Sequence, residues 1–530
     1  MHVRILPVAG AIGLSVMLAV APVKAATPSN MVVMAWQIDE LISLDPAEIY
    51  EFAPAELAAN FYDRVVYYDI ASPNEMKGGA AESWTISDDG KTFTFKIRDG
   101  VKFHSGNPLT AEDVAWSMQR VVKLDKGPAF ILTGFGLSKD NVEQKVRATD
   151  ARTVVFETDK AYAPTFVLNC LGSWVSSVLD KKTVMANEKN GDLGGAWLKT
   201  HEAGSGPFTL NLLKANEMVM LDAFEGYWRG APKIKRVALR HVPESAPQRL
   251  MLEKGDADVA RDLGPDDLDV LAKNPDIKIR KIPQGMIYYL GLNQKNPNLA
   301  KPEVIEALKW LIDYKGIEKN ILRETKIPHQ TFLPSGFFGA LDDTPYTLDV
   351  EKAKALLAKA GLPNGFKVTM DVRNTYPTAD IAQIIQATWA KAGIQLEIIP
   401  GDNKQTLTKY RARQHDIYIG RWAPDYLDPH SNAQGFAWNP DNADDSSNKL
   451  LAWRNAWDIP QYTGMTEAAL AEKDPAKRKA IYEDMQRQFL KVSPFVIMFQ
   501  DVAVLAERKN LQGFEHGPNF DVIYYRNMTK

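Results

Sequence analysis

The sequence predicts a mixed α/β fold, and three observations carry that expectation. Between residues 366 and 419, strand and helix patterns alternate as β-α-β-α-β, the order of a parallel sheet with crossover helices. Nearer the N-terminus, an alternating run of Phe93, Phe95 and Ile97 stands beside turn residues, which is the character of an antiparallel hairpin. No solenoid or propeller period runs through the chain, and 45% apolar with 24% charged residues is ordinary globular composition. At 530 residues the chain has room for roughly three domains.

The first 25 residues stand apart from this pattern. His2 and Arg4 precede an uncharged apolar run over residues 5–23, and Val23-Lys24-Ala25 closes it on a small residue. That is the arrangement of a secretory signal peptide, cleaved after Ala25. Pro7, Gly10, Gly13 and Pro22 weaken the alternative of a retained membrane anchor, and no cysteine follows the run to carry a lipid. No later stretch reaches the roughly 18 apolar residues of a spanning helix.

The remaining elements follow in order. Phe93, Phe95 and Ile97, then Asp99-Gly100, then Val101 and Phe103 read as a hairpin with a tight turn. Thr110 caps a helix, Asp113 completes its capping box, and Val114, Met118 and Val121 form its buried stripe. Residues 207–224 read as a second hairpin turning near Lys214-Ala215-Asn216. Pro302 opens a helix with apolar positions Val304, Ile305, Leu308, Leu311 and Ile312. Asp349 caps the next helix and Gly361 ends it. A strand over 366–372, a helix over 381–389 ending at Gly393, a strand over 394–398, a charged helix near 404–413 and a strand over 417–419 complete the alternation.

Ligands of open α/β sheets sit beyond the carboxyl ends of the strands. Just past Ile419 lies Gly420-Arg421-Trp422-Ala423-Pro424-Asp425-Tyr426-Leu427-Asp428-Pro429-His430, rich in aromatic and charged groups. Signatures of catalysis are missing. Gly204-Ser205-Gly206 lacks the glycine two places before the serine, and His201-Glu202 lacks a second histidine four places on. Asp441-Asn442-Ala443-Asp444-Asp445 lacks the glycine and glutamate of a calcium loop. No phosphate-binding loop or dinucleotide fingerprint occurs. A net charge of −3 opposes the basic balance of a nucleic-acid binder. The single cysteine, Cys170, excludes an internal disulfide and reads as a small buried apolar residue. No catalytic residue, metal ligand or cofactor is therefore assigned. An exported hydrolase whose acids lie far apart along the chain is the alternative from another class.

Several segments resemble one family. They are Leu44-Asp45-Pro46-Ala47, Tyr62-Asp63, Ala81-Glu82-Ser83-Trp84, Ser87-Asp88-Asp89-Gly90, Arg98-Asp99-Gly100-Val101-Lys102-Phe103-His104-Ser105-Gly106 and Leu109-Thr110-Ala111-Glu112-Asp113-Val114. Gly204-Ser205-Gly206-Pro207-Phe208, Tyr227-Trp228, Gly255-Asp256-Ala257-Asp258, Gly291-Leu292-Asn293 and Ala360-Gly361-Leu362-Pro363 continue the series. In this order they resemble the extracytoplasmic solute-binding proteins of peptide- and nickel-type ABC importers, family 5. The resemblance implies a bilobal periplasmic-binding-protein fold of type II, of the large class with an extra subdomain. Lobe I would span 26–284, with an insertion at about 55–185, and resume over 498–530. Lobe II would span 285–497, with crossings near 286–292 and 495–499. The same resemblance implies a monomer, free in a Gram-negative periplasm, that closes on a small polar solute and hands it to an inner-membrane ABC permease, with no nucleic acid and no membrane anchor.

Site residues are carried over from the same family. Peptide-binding relatives hold a tryptophan followed three residues later by an aspartate at this loop, here Trp422 and Asp425, and the aspartate pairs with the α-ammonium of the ligand. A buried ammonium needs such a counter-charge. Arg421, Ala423, Tyr426 and Trp438 are the further candidate ligand residues, and Asp428-Pro429 reads as turn chemistry. Arg421 stands where relatives carry a small residue, and suits a ligand carboxylate. Nickel-binding relatives have a shorter loop without the first aspartate. A short peptide is the expected solute, with a nickel chelate, an opine or an oligosaccharide as alternatives.

Overall fold

Two long antiparallel strands, Ile277–Leu292 and Phe495–Arg508, organise the molecule. A computed structural model describes residues 27–71, 75–323, 325–446 and 448–530, so the expected signal peptide lies outside the described residues. To one side of the long pair, the sheet continues through Val259–Ala260, Met31–Trp36, Arg236–His241, Met218–Ala223 and Phe208–Lys214. To the other it continues through Ile417–Trp422, Lys367–Arg373 and Gln395–Gly401. The ladder of the long pair slips between Pro283 and Ile287. Pro283 has no N–H to donate, and the Gly285 N–H turns away to Pro518 O at 2.8 Å. The strands therefore loosen where they pass from one half of the sheet to the other.

Each half has its own core, which makes the molecule bilobal. Met34, Phe61, Phe95, Trp174, Leu239 and Tyr525 belong to one apolar cluster, drawn from chain before the first long strand and from the C-terminal end. Leu290, Leu308, Trp389 and Met498 belong to a second cluster, and Tyr289, Phe436, Trp457 and Phe489 to a third, both in the other lobe.

Local signals act largely as the sequence predicts. Thr110 and Asp113 form a reciprocal capping box on Ala111–Leu124. The hairpin of Phe208–Lys214 and Met218–Ala223 turns through Asn216, whose φ is 56°. Pro302–Trp310 is helical, Asp349 caps Val350–Lys359, and Gly361 follows at φ 79°. Lys367–Arg373 pairs in parallel with both Gln395–Gly401 and Ile417–Trp422, joined by the helices Thr378–Ala390 and Asn403–Arg411.

The first expected hairpin does not form. Thr92–Ile97 pairs on one edge with Ala81–Ile86 and on the other with Thr153–Glu157, in a four-stranded sheet completed by Val146–Asp150. With both edges taken, no hydrogen-bonding groups remain for the chain beyond Gly100. Val101 and Phe103 enter the core instead, and Lys102 makes an isolated bridge to Pro108. Cys170 is buried, and burial raises its thiol well above the ordinary range.

Candidate functional site in the inter-lobe cleft

The loop 423–428 leaves the carboxyl end of Ile417–Trp422 and enters the helix Pro429–Ala437. Asp428 sets that helix start: its Oδ1 accepts from the His430 N–H at 2.9 Å. The same carboxylate takes Arg478 in a bidentate pair at 2.7 and 2.8 Å, both groups fully buried. Burial alone would raise the Asp428 carboxyl, but the guanidinium holds it below the usual carboxylate range. Arg478 also donates to Thr165 Oγ1 across the cleft at 2.9 Å. This pair therefore ties the loop to its helix and to the other lobe.

Tyr426 goes further across. It is 5% exposed and packs edge-on against Phe166, with ring centroids 5.7 Å apart, inside the core of lobe I. His430 packs on the same phenylalanine, and burial pushes its imidazole down to about 4. The Ala163 N–H donates to Leu470 O at 2.7 Å, and Lys473 Nζ to Asp88 O at 3.1 Å. The lobes thus meet in a closed arrangement.

Asp425 lies between these anchors, half-buried. Its N–H donates to Ser431 Oγ at 2.9 Å, and its Oδ1 accepts from the Tyr50 hydroxyl of lobe I at 2.7 Å. It has no ion-pair partner among the described residues. Burial pushes its carboxyl up to about 6, and the Tyr50 hydrogen bond acts in the opposite sense. Ala423 lines a cleft cavity of about 320 Å³, with Trp36, Phe52 and Arg261 from lobe I and Gly285 and Asp501 from the long strands. A side chain at Gly285 would start 2.8 Å from the Pro424 ring, so the close approach of loop and strand requires glycine. On the far side of the loop, Leu427 and Asp428 face a second cavity of about 150 Å³, walled by Trp84 and Leu168 opposite Phe337.

The cations of the larger cavity are already neutralised. Arg261 Nη1 reaches both oxygens of Glu56 at 2.7 Å and stacks on Trp36 at 4.0 Å. Lys326 Nζ lies 2.7 Å from Asp501 Oδ1. Such matched pairs cancel each other's charge within the wall. Asp262 in the same wall accepts from the Gln37 N–H at 2.8 Å, and burial raises its carboxyl; neither it nor Asp425 has an ion-pair partner among the described residues.

The other candidates have different surroundings. Trp422 is half-buried, donates from Nε1 to Asn432 Oδ1 at 3.2 Å, and packs over Gly435 and Phe436. Arg421 is exposed on its strand, in register with Tyr288. Trp438 donates from Nε1 to Glu467 at 3.0 Å and is absent from the walls of both cleft cavities. The structure therefore places Ala423 in the cavity wall and Asp425 outside it, bonded across the lobe boundary to Tyr50, while Tyr426 serves inter-lobe packing. Sequence reading missed Tyr50, Phe52 and Arg261, which carry no local signal and meet the loop only through the fold.

Residues 75–444 match the bacterial extracellular solute-binding proteins, family 5 middle region. The chain belongs to this family. The family 5 protein is 28% identical over 505 residues to the probable D,D-dipeptide-binding periplasmic protein DdpA of Escherichia coli K12, covering 94% of each chain. It is 28% identical to the dipeptide-binding protein of the same organism, covering 86% of each. Its fold matches the periplasmic binding protein DppA from Helicobacter pylori, solved with peptide STSA, at a TM-score of 0.75 and 25% identity, over 94% of this chain and 98% of that one. Among the described residues of the family 5 protein, no helix is long and apolar enough to cross a membrane.

Proposed function

We propose that this family 5 protein is the periplasmic receptor of an ABC importer in a Gram-negative envelope, and that it captures short peptides by their α-ammonium group. Capture is lobe closure around the solute, followed by delivery to an inner-membrane permease, with no bond made or broken. Lobe I comprises 26–284, with its insertion at about 55–185, and 498–530; lobe II comprises 285–497; the signal peptide 1–25 is removed on export. The single observation that carries this reading is Asp425: a half-buried carboxylate between the lobes, bonded across to Tyr50, with no ion-pair partner among the described residues. A desolvated carboxylate in that position is complementary to an incoming ammonium. The dipeptide named for the relatives is of this chemistry.

Titration calorimetry with a dipeptide panel and the matching N-acetylated dipeptides tests it. Free dipeptides bind and acetylated ones do not. Asp425→Ala weakens binding by roughly 2–5 kcal/mol, more than tenfold in Kd. Unchanged affinity in the variant removes Asp425 from the site. Mass spectrometry of the solute that co-purifies identifies the ligand directly, and a sugar or a metal chelate there would overturn the peptide assignment.

A further inference from the structure

A second cavity, of about 300 Å³, lies within lobe I and away from the cleft. Its walls come from residues 59–71, Gly79, residues 207–229 and 515–527, with none from lobe II among the described residues. That volume is at the small end of the range for small-molecule sites. Tyr67, Tyr227 and Tyr524 supply aromatic wall, with Pro207 and Ile70 beside them.

Three guanidiniums border the cavity, and they are not alike. Arg64 is committed: it donates to Asp521 Oδ2 at 3.1 Å and to Gly172 O at 2.6 Å, fully buried. Arg229 lies over the Tyr67 ring at 4.3 Å and donates to its hydroxyl at 2.6 Å; it makes no ion pair in contact, but the Asp63 charge acts on it. Arg526 is half-buried and has neither a hydrogen bond nor an ion pair among them. The carboxylates in the wall accept from neutral donors and keep their charge. Asp63 accepts from Ser205, Trp228 and Tyr227 at 2.8, 3.0 and 3.1 Å. Asp69 accepts from the Ala71 N–H at 3.0 Å, and Glu515 from the Asn527 amide.

Two guanidiniums without a direct ion pair among the described residues, Arg229 within the field of Asp63 and Arg526 half-buried, thus border an aromatic-walled hollow. A desolvated guanidinium is costly unless an anion joins it, and its planar fork matches carboxylate and phosphate oxygens. We infer that this cavity is a second ligand site, taking a small organic anion between Arg229 and Arg526 with its apolar part against the tyrosine rings. Carboxylate and phosphate share the chemistry recognised there, and the site is independent of what the cleft binds.

Calorimetry of the full chain at constant ionic strength, with benzoate and with inorganic phosphate as separate probes, tests this. Saturable binding of benzoate alone assigns an aromatic carboxylate, and of phosphate alone a phosphate ester. In either case Arg526→Glu weakens binding at least about tenfold, while Asp425→Ala leaves it unchanged. Arg526 makes no contact that folding depends on, so the variant should melt at the temperature of the unaltered protein. Absence of saturable binding by both probes overturns the inference, and so does an Arg526→Glu variant that binds them as well as the unaltered protein.

Discussion

Asp425 sits under two opposing influences. Burial favours its protonated form and pushes the carboxyl up to about 6, whereas the Tyr50 hydroxyl favours the carboxylate. An ammonium ligand binds only the ionised form, so the bound carboxyl titrates below the free one. Proton and ligand then compete, and dipeptide affinity falls as pH drops through about 6. Tyr50→Phe removes the group that lowers the carboxyl, so the midpoint of that fall moves to higher pH. Calorimetry across this range checks both outcomes, and a flat profile would take Asp425 out of the binding step. The sequence exposes Asp425 because loop, strand end and carboxylate are contiguous. It conceals Tyr50, which lies 375 positions away. Nor does it separate a cleft aromatic from a core one: Tyr426 has the composition of a ligand contact and the surroundings of a packing residue.

Helix starts show how local chemistry and tertiary contact differ in weight. Thr110 caps Ala111–Leu124 by bonds within one turn. Thr110→Ala should cost about 1 kcal/mol. Asp428 also caps a helix, but it neutralises Arg478, and the two are 0% and 1% exposed. Asp428→Ala leaves a buried guanidinium unpaired and should cost about 3–5 kcal/mol. Urea unfolding of the two variants measures the gap, and equal losses would mean that water reaches Arg478. Caps are legible in sequence because their donors and acceptors lie within four residues. The expected Phe93–Phe103 hairpin failed for the complementary reason, since strand partners are set by which edges are free, and Thr153–Glu157 occupies that edge.

At the scale of the whole molecule, closure depends on side chains that cross the cleft. Tyr426 in the core of lobe I and Arg478 on Thr165 hold the lobes together beside the hinge strands. Tyr426→Ala should therefore enlarge the radius of gyration of the unliganded protein in X-ray scattering and weaken solute binding, and identical scattering would show that this contact does not hold the lobes. A second global property follows from burial. His329, His415 and His430 are pushed down to about 4, and His516 to about 3, chiefly by desolvation. Their folded values lie below the unfolded one near 6.5. The stability they carry is complete above that value and is lost as pH falls toward 4. Unfolding free energy measured in urea should decline over that window, and His329→Gln should shallow the slope.

Composition, the alternating patterns over 366–419 and the family motifs were enough to establish an α/β chain of the family 5 solute-binding type and to place one loop at the end of a sheet strand. Those features are carried by neighbours in the chain, where periodicity, caps and turns act. The cleft itself was settled by folding. Tyr50 opposite Asp425, Arg261 neutralised by Glu56, and the two long strands that slip at Pro283 are contacts between residues hundreds of positions apart. Burial then decides how strongly each carboxylate feels the lack of a cation, because desolvation depends on the surroundings of a group and not on its place in the chain.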